Sequence, residues 1–157
     1  LLADLYLSLP AEWVVLDDRG TPHVRDEDKE WLLRLLRQLA FLPYLFDTWL
    51  WDGHTIPNYD PPDPYAPDTQ LDGSVVLHGM GVPGVDSEVR TSDGKSIVLL
   101  SVIPIHGDEM AFKLDRGSEE LKALLIAGGV TDVLDPGRKS VLVGGFGSRL
   151  LRLLGLY

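Results

Sequence analysis

The sequence predicts an α+β fold in a single domain over residues 1–157. Three observations predict it: a helical apolar stripe between Asp26 and Leu42, two β patterns joined at Asp93-Gly94, and a second helical pattern over 118–127. A chain of 157 residues is one domain's worth and buries roughly two-thirds of its unfolded surface, so it needs no covalent staple to hold a core.

The first ten residues are expected to form a short helix closed by Pro10, and Glu12–Asp18 a short apolar strand or an irregular buried segment. From Asp26 to Leu42 the pattern is stronger. Asp26, Glu27 and Asp28 supply an acidic helix start, Glu30 and Arg34 are spaced i,i+4, and Trp31, Leu32, Leu35, Leu36, Leu39 and Leu42 form an apolar face that must pack, most naturally on a sheet. Pro43 is expected to end this helix. Residues 74–80 read as a strand, and 85–91 alternate as a strand with one face in water. Asp93-Gly94 is the dipeptide of a tight hairpin whose two positions tolerate left-handed conformations. It leads into Ser96–Ile105, apolar on both faces and therefore the central strand.

Residues 107–117 fit a helix broken at Gly117 or a short strand. Ser118 is the expected N-cap of a helix over 118–127, with Leu121, Leu124 and Leu125 as its apolar stripe and Gly128-Gly129 as its stop. Residues 130–136 read as a short strand or turn, 139–145 as an apolar strand, and 148–157 as a terminal helix capped by Ser148.

Zero cysteines exclude disulfides, thiolate zinc sites and cysteine nucleophiles together, and a cytosolic address is the default expectation. The longest apolar run, Ile97–Leu100 continued past Ser101 to Ile105, falls well short of the roughly 20 residues that cross a bilayer. The chain begins without methionine or a basic leader region and reads as part of a longer polypeptide. No cofactor is implied.

Twenty-four acidic against 14 basic side chains give a net charge of -10, which argues against nucleic acid or an anionic membrane as partner. The imbalance is local. Between Arg37 and Arg90 there is no Lys or Arg, while Asp47, Asp52, Asp60, Asp63, Asp68, Asp72, Asp86 and Glu88 all fall there.

The motif matches are weak. Gly79, Gly81 and Gly84 fit G-x-G-x-x-G, but Pro83 and an alternating strand stand where a phosphate-binding helix should begin. The glycine-rich 143–150 stretch lacks the Gly-Lys-Ser/Thr of a P-loop. Asp52, His54, His78 and His106 offer metal-ligand chemistry without ligand spacing, and no metal site is assigned. Asp108 with Glu109 or Asp115 offers carboxylate pairs without an acid/base signature, and no G-x-S-x-G elbow is present. No residue is assigned as catalytic.

Residues 44–73 stand apart. Pro57, Pro61, Pro62, Pro64 and Pro67 occur together with Tyr44, Phe46, Trp49, Trp51, Tyr59 and Tyr65. A disordered linker would be poor in aromatics, so an ordered loop with aromatic anchors is expected. Large aromatics beside acids, with no Lys or Arg in the same stretch, suit an interface, with the rings supplying affinity and the charge steering a basic partner. Ordinary solubility charge over core aromatics is the competing reading.

The blocks Trp49–Gly73 and Ser101–Val141 strongly resemble the bacterial members of the suppressor-of-fused family, over most of residues 28–141, with 142–157 as a C-terminal extension. The resemblance is carried by Trp49, Gly53, His54, Thr55, Ile56, Pro57 and Asn58, then by Pro104, Glu109, Met110, Lys113, Gly117, Leu121, Gly129, Val130, Thr131, Asp132, Val133, Asp135 and Arg138. Lys139 stands where the family pattern has proline. The resemblance implies a central mixed, largely antiparallel sheet packed by helices. It also implies a binding role: the animal protein sequesters a transcription factor of the Hedgehog pathway, and bacterial relatives are thought to be immunity proteins of toxin systems.

The function expected from these readings is non-catalytic binding of a protein, specifically a basic toxin or effector, through Trp49, Asp52, His54, Tyr59, Asp60, Asp63, Tyr65, Asp68 and Arg138. Arg138 is expected to pair with a carboxylate such as Asp132 or Asp135 to fix its turn, or else to meet the partner. The alternative is a small hydrolase using carboxylates and His54.

Overall fold

A computed structural model describes residues 2–24, 30–80 and 88–143. Its strands are β1 (Leu2–Tyr6), β2 (Val14–Leu16), β3 (Pro22–Val24), β4 (Thr55–Pro57), β5 (Gly73–His78), β6 (Glu88–Arg90) and β7 (Ser96–Ile105). Its helices are α1 (Trp31–Phe46), α2 (Gly107–Arg116) and α3 (Ser118–Ala127), with a 3-10 turn at Ala11–Trp13. β7 is the central strand, as its two apolar faces require. β1 runs parallel along one edge over Ile97–Ser101, while β5 and β6 lie antiparallel along the other, and β4 pairs with β5. The sheet is therefore mixed and largely antiparallel, and β2 and β3 form a separate antiparallel pair.

Alternation along β5 and β7 sorts the core onto both faces. Val75, Leu77, Ile103 and Ile105 pack under Leu121, Leu124 and Leu125 of α3. Val102 points the other way and packs with Trp31, Leu32, Leu35 and Leu39 of α1 and with Tyr65 and Leu71. Val76, Val98 and Leu100 continue that second face toward the partly buried Leu50 and Trp51. Among the described residues no helix is long and apolar enough to cross a membrane.

Several local expectations are corrected. The N-terminal residues form strand β1 rather than a helix, because a helix this short is marginal while the edge of β7 pairs its backbone from Leu2 to Tyr6. Helix α1 does not stop at Pro43 but runs one further turn to Phe46. The proline removes a single donor near the helix end, and its own carbonyl accepts the N–H groups of Asp47 and Thr48, with Asp47 in the left-handed region at φ 46° closing the turn. Gly117 rather than Ser118 is the N-cap of α3. Residues 107–116 are helix α2, broken at Gly117 as one of the two readings has it.

In the β6–β7 hairpin only Gly94 is left-handed, at φ +81°. The N–H of Gly94 bonds the Thr91 carbonyl, and Thr91 bonds Lys95, so the turn is a three-residue loop with a bulge. Residues 141–143 form a turn rather than a strand, because the Val141 N–H is taken by the Glu109 carboxylate and not by a neighbouring strand. The expected terminal helix from Ser148, Gly81 and Gly84 of the dismissed glycine motif, and Asp26–Asp28 lie outside the described residues.

Candidate protein-binding surface

The extra turn of α1 changes what the aromatic segment presents. Tyr44, Leu45 and Phe46 ride on a helix end that has run past the core; Tyr44 is 86% exposed and Phe46 73%. After the turn at Asp47, Trp49 is 71% exposed and tilts against the His54 ring at 6.1 Å. Leu50 and Trp51 dip back toward Val76, Val98 and Leu100.

His54 fastens this return: its Nδ1 accepts the Trp51 N–H at 3.1 Å and its own N–H donates to the Trp51 carbonyl at 3.1 Å. Asp52 Oδ1 accepts the N–H of His78 at 2.6 Å, tying the segment to β5. Gly53 must be glycine. Its φ is +80°, and a Cβ there would lie 2.7 Å from Ser118 Oγ.

Beyond β4, Asn58 and Asp63 close a small ring, with the Asn58 Nδ2 donating to the Asp63 carbonyl at 2.6 Å and the Asp63 N–H donating back at 2.8 Å. Tyr59 lies on this ring with φ 72° and is 60% exposed. Asp60 and Asp63 are exposed beside it. Tyr65 turns inward instead. It stacks on Trp31 with centroids 4.9 Å apart and planes 11° from parallel, and burial pushes its hydroxyl up to about 12. Thr69 donates its hydroxyl to the Pro136 carbonyl at 2.7 Å and accepts the Leu71 N–H at 3.1 Å. The segment is thus held by side-chain to backbone bonds, the means by which a proline-rich stretch acquires one conformation.

Two concavities meet at Tyr59. One, of about 240 Å³, runs between α1, from Leu35 to its end, and β4, and is lined by Leu42, Leu45, Phe46, Ile56, Tyr59 and Tyr65 among others. The other, of about 420 Å³, is lined by Arg34, Tyr59, Asp63, Tyr65 and neighbouring prolines and alanine. Of the sequence-derived residues, the fold brings Tyr59, Asp63 and Tyr65 together. Trp49, Asp60 and Asp68 are exposed, Asp52 and His54 are half-buried, and Tyr65 forms part of the core. Leu45, and the helical placement of Tyr44 and Phe46, were not anticipated; the apolar period of α1 continuing past Pro43 is the signal that carries them.

Arg138 lies apart from this surface. Its carboxylate partner is Glu109, not Asp132 or Asp135. Nη1 donates to Oε1 at 2.7 Å and Nη2 to Oε2 at 2.5 Å, with side chains only 9% and 0% exposed. Glu109 also accepts the N–H of His106 at 3.0 Å and of Val141 at 2.9 Å, while Arg138 Nη2 reaches the Pro104 carbonyl at 3.0 Å. Burial pulls the Glu109 carboxyl upward, but the hydrogen bonds and charge of Arg138 and the two N–H donors outweigh it and hold the group below its usual range. The pair therefore joins β7, the start of α2 and the 138–141 turn. Asp132 accepts the Ser8 hydroxyl at 3.1 Å, tying its turn to the N-terminal segment, and Asp135 accepts the Gly137 N–H at 3.0 Å within its own turn.

Of the side chains considered for metal or acid/base chemistry, His106 and Asp108, both engaged in structural bonds, line one concavity with Asp72. His106 Nε2 meets the Arg138 carbonyl at 3.1 Å. Asp108 accepts the Ser140 hydroxyl at 2.7 Å and the Glu109 N–H at 2.8 Å. Asp115 pairs with Arg116 at 3.1 Å. Among the described residues no group of three His, Asp or Glu side chains is placed to hold a metal ion.

A mixed, largely antiparallel sheet with core on both faces, helices packed against it and a buried ion pair bracing it define the class of the fold as α+β. The chain belongs to the suppressor-of-fused family: the family model described as Suppressor of fused protein (SUFU) matches residues 3–139. Among solved structures it is similar to one described as the Sufu-Fu complex, with a TM-score of 0.59 and 15% identity over 86% of this chain and 54% of that one. It is also similar to the crystal structure of Drosophila Suppressor of Fused, with a TM-score of 0.61 and 16% identity over 94% of this chain and 37% of that one. At such identities the likeness is one of fold, and the chain spans about half or less of each of those chains. No curated protein matches the sequence.

Proposed function

We propose that this chain is a non-catalytic protein-binding module whose partner is basic, and that it serves as an immunity protein that binds and neutralises a cognate toxin or effector. One observation carries the reading: large exposed aromatics at Tyr44, Phe46, Trp49 and Tyr59 coincide with a stretch from Arg37 to Arg90 that has no intervening Lys or Arg. Exposed apolar surface of this kind marks interaction sites, and an excess of negative charge raises the encounter rate with a cationic partner. The Sufu-Fu structure, a complex of a suppressor-of-fused protein, is consistent with binding as the family's mode of action.

In this reading Trp49, Tyr59, Asp60, Asp63 and Asp68 form the contact surface, Asp52, His54 and Tyr65 hold the frame behind it, and Arg138 braces the fold away from it through Glu109. The test is co-expression with the basic protein encoded beside this gene. The neighbour alone should arrest growth and the pair should restore it. Continued arrest with both proteins abundant and no complex on gel filtration would refute the immunity role.

A further inference from the structure

The groove between α1 and β4 suggests how a basic partner would be recognised. About 240 Å³ lies below the ~300–1,000 Å³ of pockets that take drug-sized ligands, so the space suits a side chain rather than a cofactor. Its mouth is formed by Leu45, Phe46 and Tyr59, all exposed. Its floor includes Tyr65, fixed against Trp31, and the Asn58–Asp63 ring sets the position of Tyr59. Such a site is formed before the partner arrives, which lowers the ordering cost of binding.

None of the residues lining this groove carries a charge. The charges stand around it: Asp47 follows Phe46, Asp60 follows Tyr59, and Asp63 shares the adjoining concavity with Tyr59. The cation of that concavity, Arg34, points a guanidinium nitrogen at the Tyr65 carbonyl at 3.5 Å. A second copy of the chain, itself at net charge -10, would be repelled, and so would an anionic lipid surface.

We propose that this groove is the anchor site for an amphipathic basic segment of the partner. One apolar side chain inserts between Phe46 and Tyr59, and flanking Lys or Arg residues meet Asp47, Asp60 and Asp63. The proposal rests on the basic-partner reading above and adds the mode of recognition to it. The groove sets the dissociation rate and the carboxylates set the association rate and its salt dependence.

The experiment titrates the full chain with a fluorescein-labelled 18-residue amphipathic peptide of Lys and Leu (a length of about five helical turns), and with the matching Glu and Leu peptide, following anisotropy at low salt. The proteins are wild type, Phe46→Ser, Leu45→Ser and the double variant Asp60→Lys/Asp63→Lys, each checked for an unchanged circular-dichroism melt. The Lys/Leu peptide is expected to bind wild type and shift backbone amide resonances at 42–46 and 56–60. Each Ser substitution is expected to weaken binding roughly tenfold or more by faster dissociation, about 1.4 kcal/mol per tenfold, and the double Lys variant to slow association. Wild-type affinity in both Ser variants, with weakened binding in the double Lys variant, overturns the groove while the acidic-surface reading stands. No binding of the Lys/Leu peptide, or equal binding of the Glu/Leu peptide, overturns both.

Discussion

Replacing Arg138 with methionine removes the guanidinium and leaves the Glu109 carboxylate, 0% exposed, without its counter-charge. Two charge-assisted hydrogen bonds, at 2.7 and 2.5 Å, disappear, and the Pro104 carbonyl loses its 3.0 Å donor. Stranding one member of a buried pair costs about 3–5 kcal/mol, a fifth or more of the roughly 5–15 kcal/mol that holds a typical domain. Urea denaturation followed by circular dichroism should show that loss at pH 7.

The pH dependence separates this account from a simple packing defect. In the wild type the Glu109 carboxyl lies below its ordinary value of 4.5, so its contribution is present above that value and fades as pH falls through the lowered one. In Arg138→Met the unpaired, buried carboxyl moves upward instead, and its protonated form fits the interior. The difference between the two proteins should therefore shrink as pH falls toward 4.5, and adding Glu109→Gln to the variant should recover part of the loss at neutral pH. A loss below about 1 kcal/mol, the scale of an exposed pair, or a loss independent of pH would refute the reasoning.

Other perturbations probe the frame behind the proposed surface. Tyr65→Ala removes the ring stacked on Trp31 and should cost about 3–5 kcal/mol in chemical denaturation, while increasing amide exchange across 58–69. Gly53→Ala places a side chain at φ +80° and against Ser118; a loss of about 1–3 kcal/mol is expected, only partly relieved by Ser118→Gly. His54→Ala deprives the Trp51 N–H of its acceptor and should lower stability by about 0.5–1.5 kcal/mol without unfolding the domain, measured by thermal melting.

The parts of the fold visible in the sequence are those set by local chemistry. The doubly apolar run at Ser96–Ile105, the Leu121/Leu124/Leu125 stripe and the presence, though not the type, of a turn at Asp93-Gly94 each declare themselves within a few residues. Strand β1 does not, because Leu2–Tyr6 acquires its conformation only by pairing with Ile97–Ser101. Pro43 is a helix breaker by local rules, yet so near the helix end it removes a single donor, and its carbonyl closes the extra turn by accepting the N–H groups of Asp47 and Thr48.

The candidate surface follows the same division. That aromatics and acids share one stretch is plain from the residues. Which tyrosine of the proline-rich run turns inward is decided by Trp31, on a helix far upstream, and this selects Tyr65 and leaves Tyr59 outside. The choice of Glu109 rather than Asp132 or Asp135 as the partner of Arg138 is likewise tertiary. Nothing near Arg138 in sequence reveals that α2 begins beside it.

The central claim, that the acidic and aromatic edge is an address for a basic protein, is tested most directly by parallel affinity capture from the source cell's lysate with the wild-type chain and with Asp60→Lys/Asp63→Lys, read by quantitative mass spectrometry. The account expects a basic protein held by the wild type at low salt, released as salt rises, and lost from the charge-reversed variant. Recovery of the same proteins in equal amounts from both, or capture that salt does not weaken, would contradict it.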